Sequence, residues 1–134
     1  MTLLVVPVRY PLSKHSKKTL AEAIDMAEDR DASLMILHID LYHDSHNVSR
    51  RDLKRTVERE FGSILNARYV VRKGFIVEEA ILEEVAAENA DLVVIGSKQA
   101  PRWRGMLQWF LDEPNVELFL REKLDCEIVT VSVT

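Results

Sequence analysis

Two stretches of this 134-residue chain carry the side chains best suited to hold an anion. Residues 1–21 contain Arg9, Lys14, Lys17 and Lys18 and no Asp or Glu; residues 92–111 contain Lys98, Arg102 and Arg104, again without an acid. The chain as a whole is acidic, with 18 Lys plus Arg against 22 Asp plus Glu and a formal charge of −4. Cations gathered without carboxylates attract phosphate or carboxylate groups. Other reactive residue types are thinly placed. The one cysteine, Cys126, excludes a disulfide framework and a multi-Cys zinc site. Its neighbours Asp125 and Glu127 disfavour a thiolate. His43-Asp44-Ser45-His46 offers donors suited to zinc or nickel, but a site needs three or four convergent ligands, so no metal is expected. Ser13, Ser16 and Ser97 have no adjacent base in sequence, which leaves nucleophilic catalysis unsupported. Arg50, Arg51, Lys54, Arg55 and Arg59 interleave with Asp52, Glu58 and Glu60, a solvated helix face rather than a nucleic-acid stripe.

Hydrophobic spacing indicates the elements that must position these groups. Leu3-Leu4-Val5-Val6-Pro7-Val8 is a continuous apolar run, the pattern of a strand buried on both faces. Pro7 lacks a donor and belongs at the last paired position or at a bulge. Leu20, Ile24 and Ala27 recur at helical spacing; Ser13 or Ser16 can cap that helix, which should end near Arg30 or Asp31. Residues 33–39 form a second apolar run, with His38 inside it as a hydrogen-bonded core or backbone-flanking residue. Ser49 with Asp52 is a capping-box signal, and Leu53, Val57, Phe61 and Leu65 give the inner face of a second helix. Residues 67–72 are more polar and read as an edge strand, and Gly74 marks a turn. A third helix is predicted from about Ile76 to Asn89, with Ile76, Ala80, Ile81, Val85 and Ala86 inward. Glu78, Glu79, Glu83, Glu84 and Glu88 then face solvent. A fourth strand over 90–96, a fourth helix over Val116–Leu124 and a fifth strand over Cys126–Val133 complete the pattern.

Steady alternation of strand and helix implies parallel strands joined by right-handed crossovers, an α/β open sheet. The length fits a single domain over 1–134. No apolar run reaches the roughly 20 residues of a bilayer span, and no basic leader precedes the first strand. A soluble, cytoplasmic protein without membrane or nucleic-acid partners is expected.

The opening VVPVRYPLSKHSKKTL, the stretch SLMILHI, the run GFIVEEAILEEVAAENADLVVIGS and the closing CEIVTV resemble the universal stress protein domain in order and spacing. The resemblance implies a five-stranded parallel sheet of order 3-2-1-4-5 with helices on both faces, the adenine nucleotide alpha hydrolase-like plan. It also implies a homodimer formed through the last strand, here Ile128, Val129, Val131 and Val133, although that strand can equally be an edge covered by the fourth helix. Some members of the family bind ATP, with V-P-x-D after the first strand and G-x-x-G followed later by G-S or G-T after the fourth. This chain has Val6-Pro7-Val8-Arg9, and Gly96 is followed by Ser97-Lys98-Gln99 with no later Gly-Ser or Gly-Thr. A phosphate cradle needs backbone N–H groups that face the anion, which glycine permits. ATP binding of the family type is therefore disfavoured, and no cofactor is expected.

In a sheet of that order the chain reverses direction between strands 1 and 4, and ligands bind outside the carboxyl ends of the strands at the reversal. Val8, Arg9, Leu37, Gly96, Ser97, Lys98 and Arg102 are the candidate binding residues there, with Lys14 and Arg104 nearby. The leading reading is a non-catalytic, dimeric regulatory or accessory module of the stress response. The alternative is a sensor of a nucleotide or phosphate-bearing metabolite in a modified basic crevice, with weak ATP hydrolysis as the enzymatic version. The segment Trp103–Leu111 holds both tryptophans and reads either as a docking or lid element or as ordinary core.

Overall fold

Apolar runs become strands and amphipathic stretches become helices throughout residues 2–43, 47–97, 101 and 126–132, which the computed structural model describes. In chain order these are β1 (Leu3–Pro7), α1 (Lys14–Asp29), β2 (Ser33–Leu41), α2 (Arg50–Phe61), β3 (Ala67–Gly74), α3 (Val77–Ala87), β4 (Leu92–Gly96) and β5 (Glu127–Val131). The strands form one sheet of order β3-β2-β1-β4-β5. All four pairings are parallel, with Pro7 opposite Leu37, Val5 opposite Val93 and Gly96 opposite Val131. The predicted fourth helix and the Trp103–Leu111 segment lie outside the described residues.

Two apolar layers sandwich the sheet. Leu4, Val6, Leu34 and Ile36 point to one face and pack with Leu20 and Ala23 of α1 and Leu53 and Val57 of α2. Val5, Met35, Leu37, Val93 and Ile95 point to the other and pack with Ile81, Leu82 and Val85 of α3. Full burial of each such Leu, Ile or Val side chain contributes about 1.5–3 kcal/mol, so the sheet's double-sided burial is its main source of stability. Cys126 is half-buried against the α3-side layer, just before β5.

The polar groups at the element ends set the boundaries. Ser13 caps α1 by accepting from the Ser16 N–H, and Ser49 and Asp52 form a reciprocal capping box on α2. Gly62 takes φ +75°, a conformation that favours glycine, and ends α2 after Phe61. Leu65 consequently falls beyond the helix and is exposed, contrary to the predicted inner face. Ile76 also departs from its predicted inward place. It is the extended N-cap of α3, so its side chain swings outward and is half exposed. Gly74 is the last residue of β3 rather than a free turn. A Cβ there would lie 2.9 Å from the Cβ of Ala80, so the glycine lets α3 start directly against the strand.

β3 is the edge its polarity predicts, and α3 lays carboxylates along it. Arg72 contacts Glu83 and Glu84 at 2.7 Å each, and Arg68 contacts Glu88 at 3.1 Å. Charges along an edge discourage strand addition by another chain. On the opposite face of β3, the Tyr69 hydroxyl is buried with no hydrogen-bond partner among the described residues. Its burial, with the nearby Glu58 carboxylate, pushes the phenol up to about 12. Tyr69→Phe is expected to raise unfolding stability by about 1 kcal/mol, because an unsatisfied buried hydroxyl is removed without loss of shape. Urea unfolding checks this; a destabilised variant would mean that the hydroxyl has a partner after all.

Candidate functional site

A cavity of about 650 Å³ opens at the carboxyl ends of β1 and β4, where the strand order reverses. Among the described residues, Pro7, Val8 and Arg9 contribute from the exit of β1 and His38 and Ile39 from β2. Ser13, His15, Ser16 and Thr19 come from the start of α1, Val77, Glu78 and Ile81 from the start of α3, and Gly96 from the end of β4. Because α1 and α3 pack on opposite faces of the sheet, the crevice straddles the sheet's end.

Local bonding explains how the first wall is held. Pro7 occupies the last register position of β1, and the Val8 N–H then donates to the Leu37 carbonyl at 2.8 Å. The Arg9 N–H donates to Ser16 Oγ at 3.0 Å, which ties the departing chain to the first turn of α1. The N–H groups of Lys14 and His15, at the start of α1, have no hydrogen-bond partner among the described residues. Such orphan donors carry the positive end of the helix dipole and suit an anion. His38 is buried, and its Nδ1 lies 3.0 Å from the Val8 carbonyl oxygen. A carbonyl only accepts, so Nδ1 carries the proton in this bond. The Tyr10 ring flanks this imidazole with centroids 6.0 Å apart.

The predicted residues distribute unevenly. Val8, Arg9 and Gly96 line the crevice, with Arg9 exposed at its rim. Leu37 does not: its side chain is fully buried in the α3-side layer and only its carbonyl reaches this region. Ser97 sits one residue beyond β4, and its N–H is bonded to the Val131 carbonyl at 2.8 Å. Lys98, Arg102 and Arg104 lie outside the described residues, as do Asp44, Ser45 and His46 of the histidine-bearing loop. Among the described residues no group of three or more His, Cys, Asp or Glu is placed to hold a metal ion.

Several crevice residues escaped the sequence reading, His15, Thr19 and Glu78 among them. His15 stands in the first turn of α1, two residues after the Ser13 cap. Glu78 was predicted to face solvent with the other glutamates, yet only 9% of it is exposed. Its spacing carried the signal: Glu78 shares a helical stripe with Ile81, Leu82 and Val85, all buried.

The sequence profile of the Universal stress protein family matches residues 3–111. The chain belongs to the universal stress protein family. This universal stress protein superposes on UspA from Lactobacillus plantarum with a TM-score of 0.64 at 16% identity, covering 97% of both chains. A family member from Burkholderia pseudomallei gives 0.67 at 15% identity over 97% of this chain and 95% of that one. A universal stress protein in complex with cAMP gives 0.59 at 15% identity over 98% of each. At these identities the likeness is one of fold. No curated protein matches the chain. Family and fold together make this a stress-response module, and no helix among the described residues is long and apolar enough to cross a membrane.

Proposed function

We propose that this universal stress protein is a non-catalytic, cytoplasmic regulatory module that does not hold ATP by a wrapped triphosphate. The observation that carries the reading is the use of main-chain donors at the strand reversal. The N–H groups of Val8, Arg9 and Ser97 are already bonded to Leu37, Ser16 and Val131, so none of them is turned toward a ligand. The residue after Val8 is a cation instead of an acid, which removes a carboxylate that could meet a nucleoside.

The open crevice favours a second component of the same reading. Arg9 at the rim and the unpartnered N–H groups at the start of α1 suit one compact anion, a phosphate monoester in particular. A solved relative in complex with cAMP supports a phosphate-bearing ligand at this kind of sheet. Calorimetric titration with inorganic phosphate, AMP and ATP at low and moderate salt tests both components. AMP and ATP are expected to bind within a few-fold of each other, to weaken with salt as exposed charge pairs do, and to weaken further in Arg9→Gln. ATP more than tenfold tighter than AMP, or turnover of ATP, would sink the first component, and no heat with any of the three would sink the second.

The module works as a homodimer joined at β5, the edge strand that carries Ile128, Val129 and Val131; Val133 lies outside the described residues. Ile128 and Val129 are only half-buried, so apolar surface remains for a second copy. Sedimentation is expected to give twice the chain mass of 15.4 kDa, with Val129→Lys shifting it toward the monomer. A wild-type protein at the monomer mass removes the dimer.

A further inference from the structure

Glu78 is the one acid on the crevice wall among the described residues, and the proposed function gives it no task. It sits in the first turn of α3, is 91% withdrawn from solvent by its 9% exposure, and has no hydrogen-bond or ion-pair partner among the described residues. The surrounding wall is apolar on its own side of the sheet, from Ile39, Val77 and Ile81. A carboxylate in such a wall is costly unless a donor meets it. Complementing the helix dipole does not explain its burial, because Glu79 occupies the same first turn without lining the crevice. What remains accessible of Glu78 belongs to the crevice, so its carboxylate is open to a donor on a ligand seated there.

The opposite side has the reverse character. Arg9 and the start of α1 present a guanidinium and unpartnered N–H groups from the other face of the sheet. The crevice is thus positive toward α1 and negative toward α3, with room for a small metabolite across the sheet's end. An ammonium group brings donors, no acceptor and the opposite charge, which is the best match to an isolated carboxylate. We propose that the crevice takes a zwitterionic metabolite, with its anionic group at Arg9 and the start of α1 and its protonated amine at Glu78. This rests on the anion crevice proposed above and adds the identity of the ligand's second charged group.

The test compares three probes that share an anion: inorganic phosphate, glycerol 3-phosphate and phosphoethanolamine, each titrated calorimetrically against the full chain at low salt. Phosphoethanolamine is expected to bind at least tenfold more tightly than glycerol 3-phosphate. Glu78→Gln should abolish that preference while keeping phosphate binding, and Glu79→Gln should leave the preference intact. Thermal melting confirms that each variant is folded, and Glu78→Met supplies a second removal of the charge if the glutamine variant is not. Equal affinity for the two organic phosphates, or a preference that survives loss of Glu78, overturns the zwitterion proposal and leaves the anion crevice standing. No binding of any probe overturns both.

Discussion

Leu37→Ala is expected to lower the unfolding free energy by about 2–5 kcal/mol, the range for truncating a fully buried leucine that leaves a cavity. The expectation rests on place. Leu37 lies in β2, flanked by Pro7 of β1 on one side and Val70 of β3 on the other. Its side chain is entirely buried in the layer built with Ile81 and Val85 of α3. A strand fixed on both edges cannot collapse into the space left behind, so the cost should fall toward the upper part of that range. In urea the midpoint should drop while the dependence on denaturant stays constant, since the same surface is exposed on unfolding. A loss below about 1 kcal/mol, paired with weakened phosphate binding, would return Leu37 to the role of ligand contact and contradict its place in the core.

Lys73→Met is expected to cost about 2–3 kcal/mol, just under the loss seen when one partner of a fully buried ion pair is removed. Asp40 and Lys73 are register partners in β2 and β3, with Nζ and Oδ2 2.7 Å apart. The two ends of the pair differ: the carboxylate side chain is 2% exposed and the ammonium side chain 40%, so the substitution strands the buried member. Burial alone would push the Asp40 carboxyl up. The Lys73 ammonium, the Val48 N–H and the His38 ring outweigh it and hold that carboxyl below its ordinary range. Because the folded value is depressed, the pair's stabilisation is present above the unfolded value of about 4 and is lost as pH falls through the lower folded value. In the variant the same carboxyl keeps its burial without the counter-charge, so its folded value rises and protonation relieves the penalty as pH falls. The stability gap between the two proteins should therefore be widest near neutrality and shrink toward about pH 4. Urea unfolding at both pH values reads it. A gap that does not change with pH would assign the loss to packing of the lysine stem instead of to the charge.

Much of the scaffold was legible because burial on both faces writes itself as uninterrupted apolar runs. Val5, Val6, Met35, Ile36, Val93 and Val94 mark three adjacent strands without ambiguity. The Ser13 cap, the Ser49–Asp52 capping box and Pro7 at the last register position are local effects, decided by hydrogen bonds a few residues apart. The departures cluster where an element stops. Leu65 continues the spacing of α2, but Gly62 has already ended the helix, and Ile76 fits the stripe of α3 but stands one residue before it. Periodicity assigns a face only while the backbone keeps the period.

The candidate site was legible in its location and only partly in its chemistry. That the exits of β1 and β4 lie together follows from the strand order, which the family resemblance implied. Which side chains share the resulting space depends on how far α1 and α3 overhang the ends of the strands. Glu78 is the clearest case: it continues the inward stripe of Ile81, Leu82 and Val85, and at the start of α3 that stripe meets the crevice instead of the sheet.

By itself the amino-acid order determined a parallel α/β sheet, its helix caps, and a cationic, glycine-poor exit from β1, since these depend on side-chain type and on neighbours within one turn or one strand. Tertiary packing alone decided that Leu37 belongs to the core, that Asp40 is sealed beneath Lys73, and that Glu78 shares a crevice with Arg9. Those outcomes depend on groups brought together from different elements and on how much water remains between them, quantities that no local spacing encodes.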